Sequence, residues 1–364
     1  MKNRKFLILG LTSVIMSVSL YLFFNYLNFD FFRSDVAWYW NDSLKWFLPF
    51  NKVHVPGYSL IIAFTRFITF GCLDPVTLMQ MITMIFLFLT LFYIIKIFEL
   101  EKNHKNNLKP IIGGLIFVLW PFIGLTNIIY PISDIVAIAF YVIGLFLFLS
   151  KKERLGSLIW GFAIITHKGL WFLIVVSFLI WILSNEKTKI KHIFNCVLII
   201  IFPIFLLWFL GSFFYNDIFW LISRSLEVET QSRSAFPIFD GLITSLLSGG
   251  LKAFVKGGLL LFILILSIIL IIFHLKKRPI WWKYGIAISL SVLVLVIGLN
   301  SNTIWAAVRF SRLLIFPIIW VIPHIEYLDR FSKRSKTFFS VAILLMLYLS
   351  QFAFAYYMSE SFFT

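Results

Sequence analysis

The sequence is poor in charged residues and in cysteine. Only 13% of its 364 residues are Asp, Glu, Lys or Arg, about half the share found in an ordinary soluble domain. The two cysteines, Cys72 and Cys196, are far apart in the chain and form neither a disulfide framework nor a metal-ligand spacing. The low charge excludes a soluble globular enzyme, and the lack of cysteine excludes a disulfide-stapled secreted module.

Acidic residues are scarcer than basic ones. There are 16 Asp and Glu against 32 Lys and Arg, a net charge of +16. A nucleic-acid partner is not expected, because the basic residues form short clusters between apolar runs, the pattern that retains Lys and Arg on the cytoplasmic side of a membrane. The chain also lacks a glycine-rich phosphate loop, which argues against a nucleotide-linked substrate. No cofactor is required by the sequence, and a divalent metal is possible but not favoured.

Apolar residues dominate the chain. They make up 61% of the sequence, and the mean hydropathy is +0.96. The apolar runs are continuous rather than alternating, which favours spanning helices over a β-barrel. We therefore predict an all-α, polytopic bundle of about ten transmembrane helices, forming one domain over 1–364 in the cytoplasmic membrane, with an interfacial helix in the first outer loop.

The basic clusters set the predicted topology. The basic segment Met1–Lys5 puts the N-terminus in the cytoplasm, and the run 6–29 is read as an uncleaved first span. The run 57–71 is short and contains Arg66, so we interpret it as an interfacial or re-entrant helix, and 75–98 as the crossing that follows. The remaining predicted membrane segments are 110–128, 134–150, 155–166, 169–184, 193–214, 251–274, 284–299, 311–328 and 337–357.

The hairpin 155–184 has an unusual first arm. Its 12 residues reach roughly 18 Å as a helix, less than the hydrocarbon thickness of about 30 Å. The turn Thr166-His167-Lys168-Gly169 is therefore expected below the outer surface, facing a cavity. A lysine at that depth is usually functional, so Lys168 is a candidate substrate-binding residue, with a snorkelling lysine as the alternative.

The first outer loop contains the best candidate for a catalytic acid. Asp35, Tyr39 and Asp42 are spaced so that they share one helix face, whereas Val36 is expected toward the lipid headgroups. Asp35 directly follows the first span and is the candidate catalytic residue, and Asp42 is a candidate for substrate binding. The alternative is a solvated loop with incidental acids.

Further candidate substrate-binding residues follow along the chain. His54 and Tyr58 flank a Pro-Gly entry to the run 57–71. Asp134 lies in an outer turn, where it or Ser133 could instead cap the next helix. Near the end of the chain, Arg309 and Arg312 form a basic pair. Arg is suited to bidentate binding of phosphate, so this pair is a candidate for binding a substrate phosphate. Anchoring to lipid headgroups is the alternative.

The order of these elements resembles the C-type glycosyltransferase superfamily, polytopic enzymes that use polyprenyl-phosphate-linked sugars. The matching elements, over about 30–325, are the acid after the first span (Asp35), the His/Pro/Gly/Tyr helix entry (54–58), the Pro-x-x-Asp turn (131–134), the Thr-(His)-Lys-Gly break (166–169) and the late Arg-Phe element leading into a Pro-containing span (309–317).

The resemblance implies a hexosyl or pentosyl transfer on the extracytoplasmic face. It implies that Asp35 deprotonates or orients the acceptor hydroxyl, and that cations hold the leaving polyprenyl phosphate. The cations would be Lys168, Arg309 and Arg312. The implied partners are a polyprenyl-phosphate sugar, a glycan, lipid or protein acceptor, and the lipid bilayer.

Two other functions stay open. A polymerase of the O-antigen or exopolysaccharide type would also have many spans, and it would transfer a whole oligosaccharide rather than one sugar. A non-enzymatic lipid-glycan transporter is the third possibility, although such proteins are typically built from inverted repeats with broken helices, which the sequence does not contain.

Overall fold

The computed structural model describes most of the chain as helix. No residue among those described is in a strand, so the all-α class is confirmed. The described residues are 2–26, 32, 34–45, 56–100, 109–119, 131–184, 189–220, 251–275, 280–298, 311–321, 342, 344–350 and 352.

The α-helices are labelled in chain order. They are α1 (Lys2–Tyr26), α2 (Ser34–Lys45), α3 (Gly57–Ile68), α4 (Pro75–Glu99), α5 (Lys109–Leu119), α6 (Ser133–Leu149), α7 (Glu153–Thr166), α8 (Trp171–Ser184), α9 (Ile190–Tyr215), α10 (Leu251–Leu275), α11 (Ile280–Gly298) and α12 (Ile315–Val321). Short 3-10 helices cover Lys168–Leu170 and Arg312–Leu314.

Two of the described helices are long and apolar enough to cross a bilayer. They cover Pro75–Glu99 and Ile190–Phe213, which are 25 and 24 residues long. They associate the chain with a membrane, whereas the count of about ten spans stays a prediction. The helix in the run 57–71 covers Gly57–Ile68, which is 12 residues or about 18 Å. It is too short to span, and its interfacial or re-entrant position stays a prediction.

Exposed apolar stripes support the membrane assignment. On α1, Leu7, Leu11 and Ile15 are more than half exposed, and their spacing of four residues puts them on one face. On α9, Phe194 and Phe205 are also more than half exposed. Apolar surface of this extent is costly in water and favourable in lipid, so these stripes fit helices that face hydrocarbon.

The helices group into two compact units. The first contains Met1–Leu170, Lys189–Ser225 and Ser340–Thr364, and the second contains Trp171–Thr188 and Leu226–Phe339. The predicted single domain over 1–364 stays a prediction, and each unit is described by itself.

The core of the first unit joins α2, α3, α4 and α6. Val36 and Tyr39 of α2 pack with Tyr58 and Ile62 of α3, with side chains of α4, and with Val136 of α6. Val36 is fully buried in this core, so its predicted orientation toward the lipid headgroups is wrong. The neighbouring helices supply an apolar surface that the sequence pattern of α2 alone did not reveal.

Small residues allow α6, α7 and α9 to pack closely. The indole of Trp160 is buried, stacks on Phe148 at 4.2 Å between ring centroids, and donates a hydrogen bond to the carbonyl oxygen of Tyr141 at 3.0 Å. A Cβ on Gly144 would overlap that indole, and a Cβ on Gly161 would lie 2.9 Å from Pro203 of α9. Glycine at such points lets helices in a membrane approach each other.

The second unit contains α8, α10, α11 and α12. His274 of α10 is buried beside Gly285 of α11, and its Nδ1 lies 2.7 Å from the carbonyl oxygen of Leu270. Tyr284 and Ile288 of α11 are buried, as are Arg312 and the four residues up to Phe316.

Candidate functional site

The buried face of α2 contains polar side chains as well as Val36. Tyr39, Asp42 and Ser43 are buried, whereas Trp38 and Asn41 are exposed. The buried positions recur every three to four residues, as on one face of a helix. Tyr39 and Asp42 therefore lie on the buried face, as their spacing predicted. The backbone of Asp35 is helical in the first turn of α2, four residues before Tyr39, and its side chain lies outside the described part of the structure.

A hydrogen bond joins α2 to the start of α6. The hydroxyl oxygens of Tyr39 and Ser133 are 2.8 Å apart, and both are buried. Ser133 is the first residue of α6, and the N-cap is Ile132, which has no side-chain cap bond. The capping role considered for Ser133 and Asp134 is therefore wrong: Ser133 instead contacts Tyr39, and Asp134 lies in the first turn, where the helix dipole favours a negative charge.

The same turn contains a buried carboxylate that faces a histidine. The side chain of Asp134 is fully buried, and its Oδ1 is 3.3 Å from Nε2 of His167, whose side chain is 16% exposed. This separation is slightly long for a hydrogen bond between nitrogen and oxygen, which is usually 2.7–3.2 Å. His167 follows α7, so the contact joins the start of α6 to the break in the hairpin.

Hydrogen bonding selects the tautomer of His167. The backbone N–H of Gly169 donates to Nδ1 of His167 at 3.0 Å. A ring nitrogen that accepts a hydrogen bond has no proton, so the proton of the neutral imidazole is on Nε2, the nitrogen that faces Asp134. Protonation of Nδ1 would cost the bond to Gly169.

Tyr58 extends the cluster to α3. Its ring meets that of Tyr39 edge to face, with 4.9 Å between centroids, and its buried hydroxyl has Thr83 and Asp134 in its surroundings. The preceding residue, Gly57, lies against the carbonyl group of Ile165 at the end of α7. The start of α3 thus packs against the helix end that leads into the break. We call Tyr39, Tyr58, Ser133, Asp134 and His167 the buried polar cluster.

Arg66 was noted in the sequence only as a charge within an apolar run. Its guanidinium lies over the ring of Trp40 at 5.8 Å, and its Nη2 donates to the carbonyl oxygen of Ser43 at 3.4 Å. Arg66 thus links the far end of α3 to the last turn of α2, where a cation is favoured by the helix dipole. The isolated arginine in the run 57–71 was the signal in the sequence for this contact.

The structure places some of the predicted site residues and leaves the others outside its described part. It brings Tyr58 and Asp134 together and buries Asp42 on the same face of α2 as Tyr39. Lys168 lies in the 3-10 helix after His167, and its side chain is outside the described part. Arg312 is fully buried in the second unit, and His54 and Arg309 lie outside the described residues. The convergence of Asp35, Lys168 and Arg309 stays a prediction.

Three members of the buried polar cluster were missed as site residues. Tyr39 was recognised only as a face partner of Asp35, Ser133 only as a possible helix cap, and His167 only as the residue between Thr166 and Lys168. A histidine in a short turn within an apolar hairpin was the available signal. Among the residues that the structure describes, no three His, Cys, Asp or Glu side chains are grouped to hold a metal ion.

The comparisons with known proteins add no family. The sequence matches no protein-family model, and no curated protein matches it.

Proposed function

We propose that the protein is a membrane glycosyltransferase. It moves a hexosyl or pentosyl group from a polyprenyl-phosphate-linked donor to a glycan, lipid or protein acceptor on the extracytoplasmic face, with Asp35 as the base. The carrying observation is the bond between Tyr39 of α2 and Ser133 of α6. It ties the helix that contains Asp35 to the Pro-x-x-Asp turn, and the contact of Asp134 with His167 ties that turn to the Thr-(His)-Lys-Gly break. Three elements of the resemblance are thus neighbours in one unit.

The proposal includes a topology of about ten spans with a cytoplasmic N-terminus. The exposed apolar stripes of α1 and α9 support it, as do the basic clusters between apolar runs. The outer loops then contain Asp35, Asp134 and Arg309. A donor with a long prenyl chain needs a site that opens to the bilayer, and helices of this kind provide lateral access to lipid.

The reaction follows from the charges that change. Asp35 accepts the proton of the acceptor hydroxyl, whose oxygen forms a bond to the anomeric carbon of the sugar. The bond between that carbon and the phosphate oxygen breaks, and its electron pair stays on the polyprenyl phosphate. Lys168, Arg309 and Arg312 stabilise the leaving phosphate, and preplaced cations of this kind lower the barrier because the negative charge grows in the transition state. Asp42, His54, Tyr58 and Asp134 complete the binding site, directly or through neighbouring groups.

The decisive experiment replaces the base. Purified protein is reconstituted with polyprenyl-phosphate sugars and an acceptor, and transfer is measured for the wild type and for Asp35→Asn. General-base catalysis contributes about 10²- to 10⁴-fold, so Asp35→Asn is expected to lose about a hundredfold or more in turnover while expressing and folding normally. Normal turnover would remove Asp35 from the mechanism.

A matched control tests whether any outer acid matters. Asp74 is exposed at the N-terminus of α4, where its side chain accepts a hydrogen bond from the backbone N–H of Thr77 at 3.0 Å. Asn is as good an N-cap as Asp, so Asp74→Asn removes the charge and keeps the cap. It is expected to transfer sugar at the rate of the wild type.

A further inference from the structure

The break after α7 is held by its own histidine. Nδ1 of His167 accepts from the N–H of Gly169, and the N–H of Leu170 donates to the carbonyl oxygen of His167 at 3.1 Å. Lys168 lies between His167 and Gly169, so both bonds enclose its backbone. The conformation of the backbone that presents Lys168 is therefore coupled to the orientation of one imidazole ring.

The other ring nitrogen of His167 lies beside Asp134. Nε2 is 3.3 Å from Oδ1 of the carboxylate, and the carboxylate is fully buried in the first turn of α6. A buried carboxylate is costly unless it has polar partners. A neutral imidazole beside the carboxylate adds no second buried charge. The Asp134 carboxylate also interacts electrostatically with the buried hydroxyl of Tyr58.

We propose that Asp134 and His167 form a positioning pair that fixes the Lys168 turn. Asp134 has no exposed surface and acts on the reaction through His167, rather than by contact with the sugar. The pair holds Lys168 where the leaving phosphate of the donor departs. This assignment rests on the proposed glycosyl transfer, in which Lys168 is one of the phosphate-binding cations.

A double-mutant cycle tests the coupling in the transfer assay. Residues in one polar network are strongly non-additive. We expect Asp134→Asn to lower kcat/KM for the donor by about tenfold, and to lower it by less than about twofold in a Lys168→Ala background. Equal losses in both backgrounds would show that Asp134 does not act through Lys168 and would overturn the proposal.

Two amide substitutions separate the contacts of the histidine. In His167→Gln, the amide reaches the position of Nε2 and keeps a donor toward Asp134. In His167→Asn, the shorter side chain keeps an acceptor near Gly169 but does not reach Asp134. Because the carboxylate contact holds the ring, His167→Gln is expected to retain more activity than His167→Asn. The reverse order, in folded protein, would contradict the role of Asp134.

A labelling measurement tests the same pair without enzymatic activity. Lys168→Cys is made in a Cys72→Ser background, because Cys72 is exposed and Cys196 is buried, and its modification by a small maleimide is followed in time. Adding Asp134→Asn is expected to change the labelling rate at position 168 by about threefold or more, a change of the size seen for coupled residues. The control is the chain that retains Cys72 and Lys168. Adding Asp134→Asn to that chain is expected to leave the labelling rate at Cys72 unchanged.

The two sets of results distinguish the two claims. A wild-type protein that transfers no sugar, together with a labelling rate that depends on Asp134, would refute the glycosyltransferase function and retain the positioning pair. An unchanged labelling rate in Asp134→Asn would refute the pair, whatever the transfer activity.

Discussion

Replacing Gly57 by alanine tests how α3 is docked on the break. A Cβ at this position would overlap the carbonyl oxygen of Ile165 and lie 2.6 Å from its carbonyl carbon and 2.9 Å from the amide nitrogen of Thr166, where ordinary contacts begin at 3.4 Å. These atoms are backbone, so no side chain can rotate away. The start of α3 or the end of α7 must move by at least about 0.8 Å, the difference between 3.4 and 2.6 Å, since the carbonyl oxygen is nearer still.

The size of the effect follows from the cost of overpacking. Forcing an extra carbon into a well-packed interior typically costs about 1–3 kcal/mol. For domains of 150–250 residues each kcal/mol lowers the melting temperature by about 2–4 °C, so Gly57→Ala is expected to lower it by several degrees. Tyr58 is the next residue and moves with the helix, so transfer activity is expected to fall as well.

The assay compares the melting temperatures of Gly57→Ala and of a control variant, Gly258→Ala, in the same detergent. Gly258 lies within α10, and a Cβ added there would have no neighbouring atom within 4 Å. Alanine is also the better helix former by about 1 kcal/mol. Gly258→Ala is therefore expected to melt at or above the temperature of the wild type in the same fluorescence-detected melting experiment. If Gly57→Ala melts together with Gly258→Ala, the close approach of α3 to α7 is refuted.

Three further predictions concern single contacts. Tyr39→Phe leaves the buried hydroxyl of Ser133 without its partner, so it is expected to lower the free energy of unfolding by about 1–3 kcal/mol. The double change Tyr39→Phe and Ser133→Ala removes both hydroxyls and is expected to lower it by less than the sum of the two single changes. Additive losses would contradict the bond. Hydrogen bonds from the side chain and backbone of Thr77 lower the pKa of Asp74 below its ordinary value of 3.8. Its contribution is therefore present above pH 3.8 and is lost as the pH falls through the lowered pKa, so the difference in melting temperature between the wild type and Asp74→Ala is expected to shrink between pH 7 and pH 3. In the proposed topology an impermeant thiol reagent is expected to reach cysteines introduced near 35, 225 and 303 from outside, but not those at 105 and 333; the opposite pattern would invert the orientation.

Local patterns predicted several elements well. The run 75–98 became α4, Pro75–Glu99, because a continuous apolar run flanked by a capping Asp74 and a basic segment leaves one choice of element. The short arm of the hairpin became α7, Glu153–Thr166, and the break at Lys168–Leu170 followed it directly. The helix predicted after the first apolar run, Ser34–Lys45, also lies where the spacing of its polar residues indicated.

Contacts between distant residues were not predictable in the same way. The periodicity of α2 put Tyr39 and Asp42 on one face, but nothing in it showed that Val36 packs in a core supplied by α3, α4 and α6. The partner of Tyr39 is 94 residues away. His167 was read by its position between Thr166 and Lys168, and its role emerged only from the contact with Asp134.

The amino-acid sequence alone indicated that this protein associates with a membrane and that its secondary structure is helical. Helix formation in an apolar medium satisfies every backbone group within the segment itself, so a long apolar run such as 75–98 is sufficient to predict a helix there. The tertiary structure decided which buried polar groups meet. Such contacts depend on how helix surfaces with glycine and bulky side chains fit together, and Gly57 against Ile165 and the imidazole of His167 facing the carboxylate of Asp134 are outcomes of that fit.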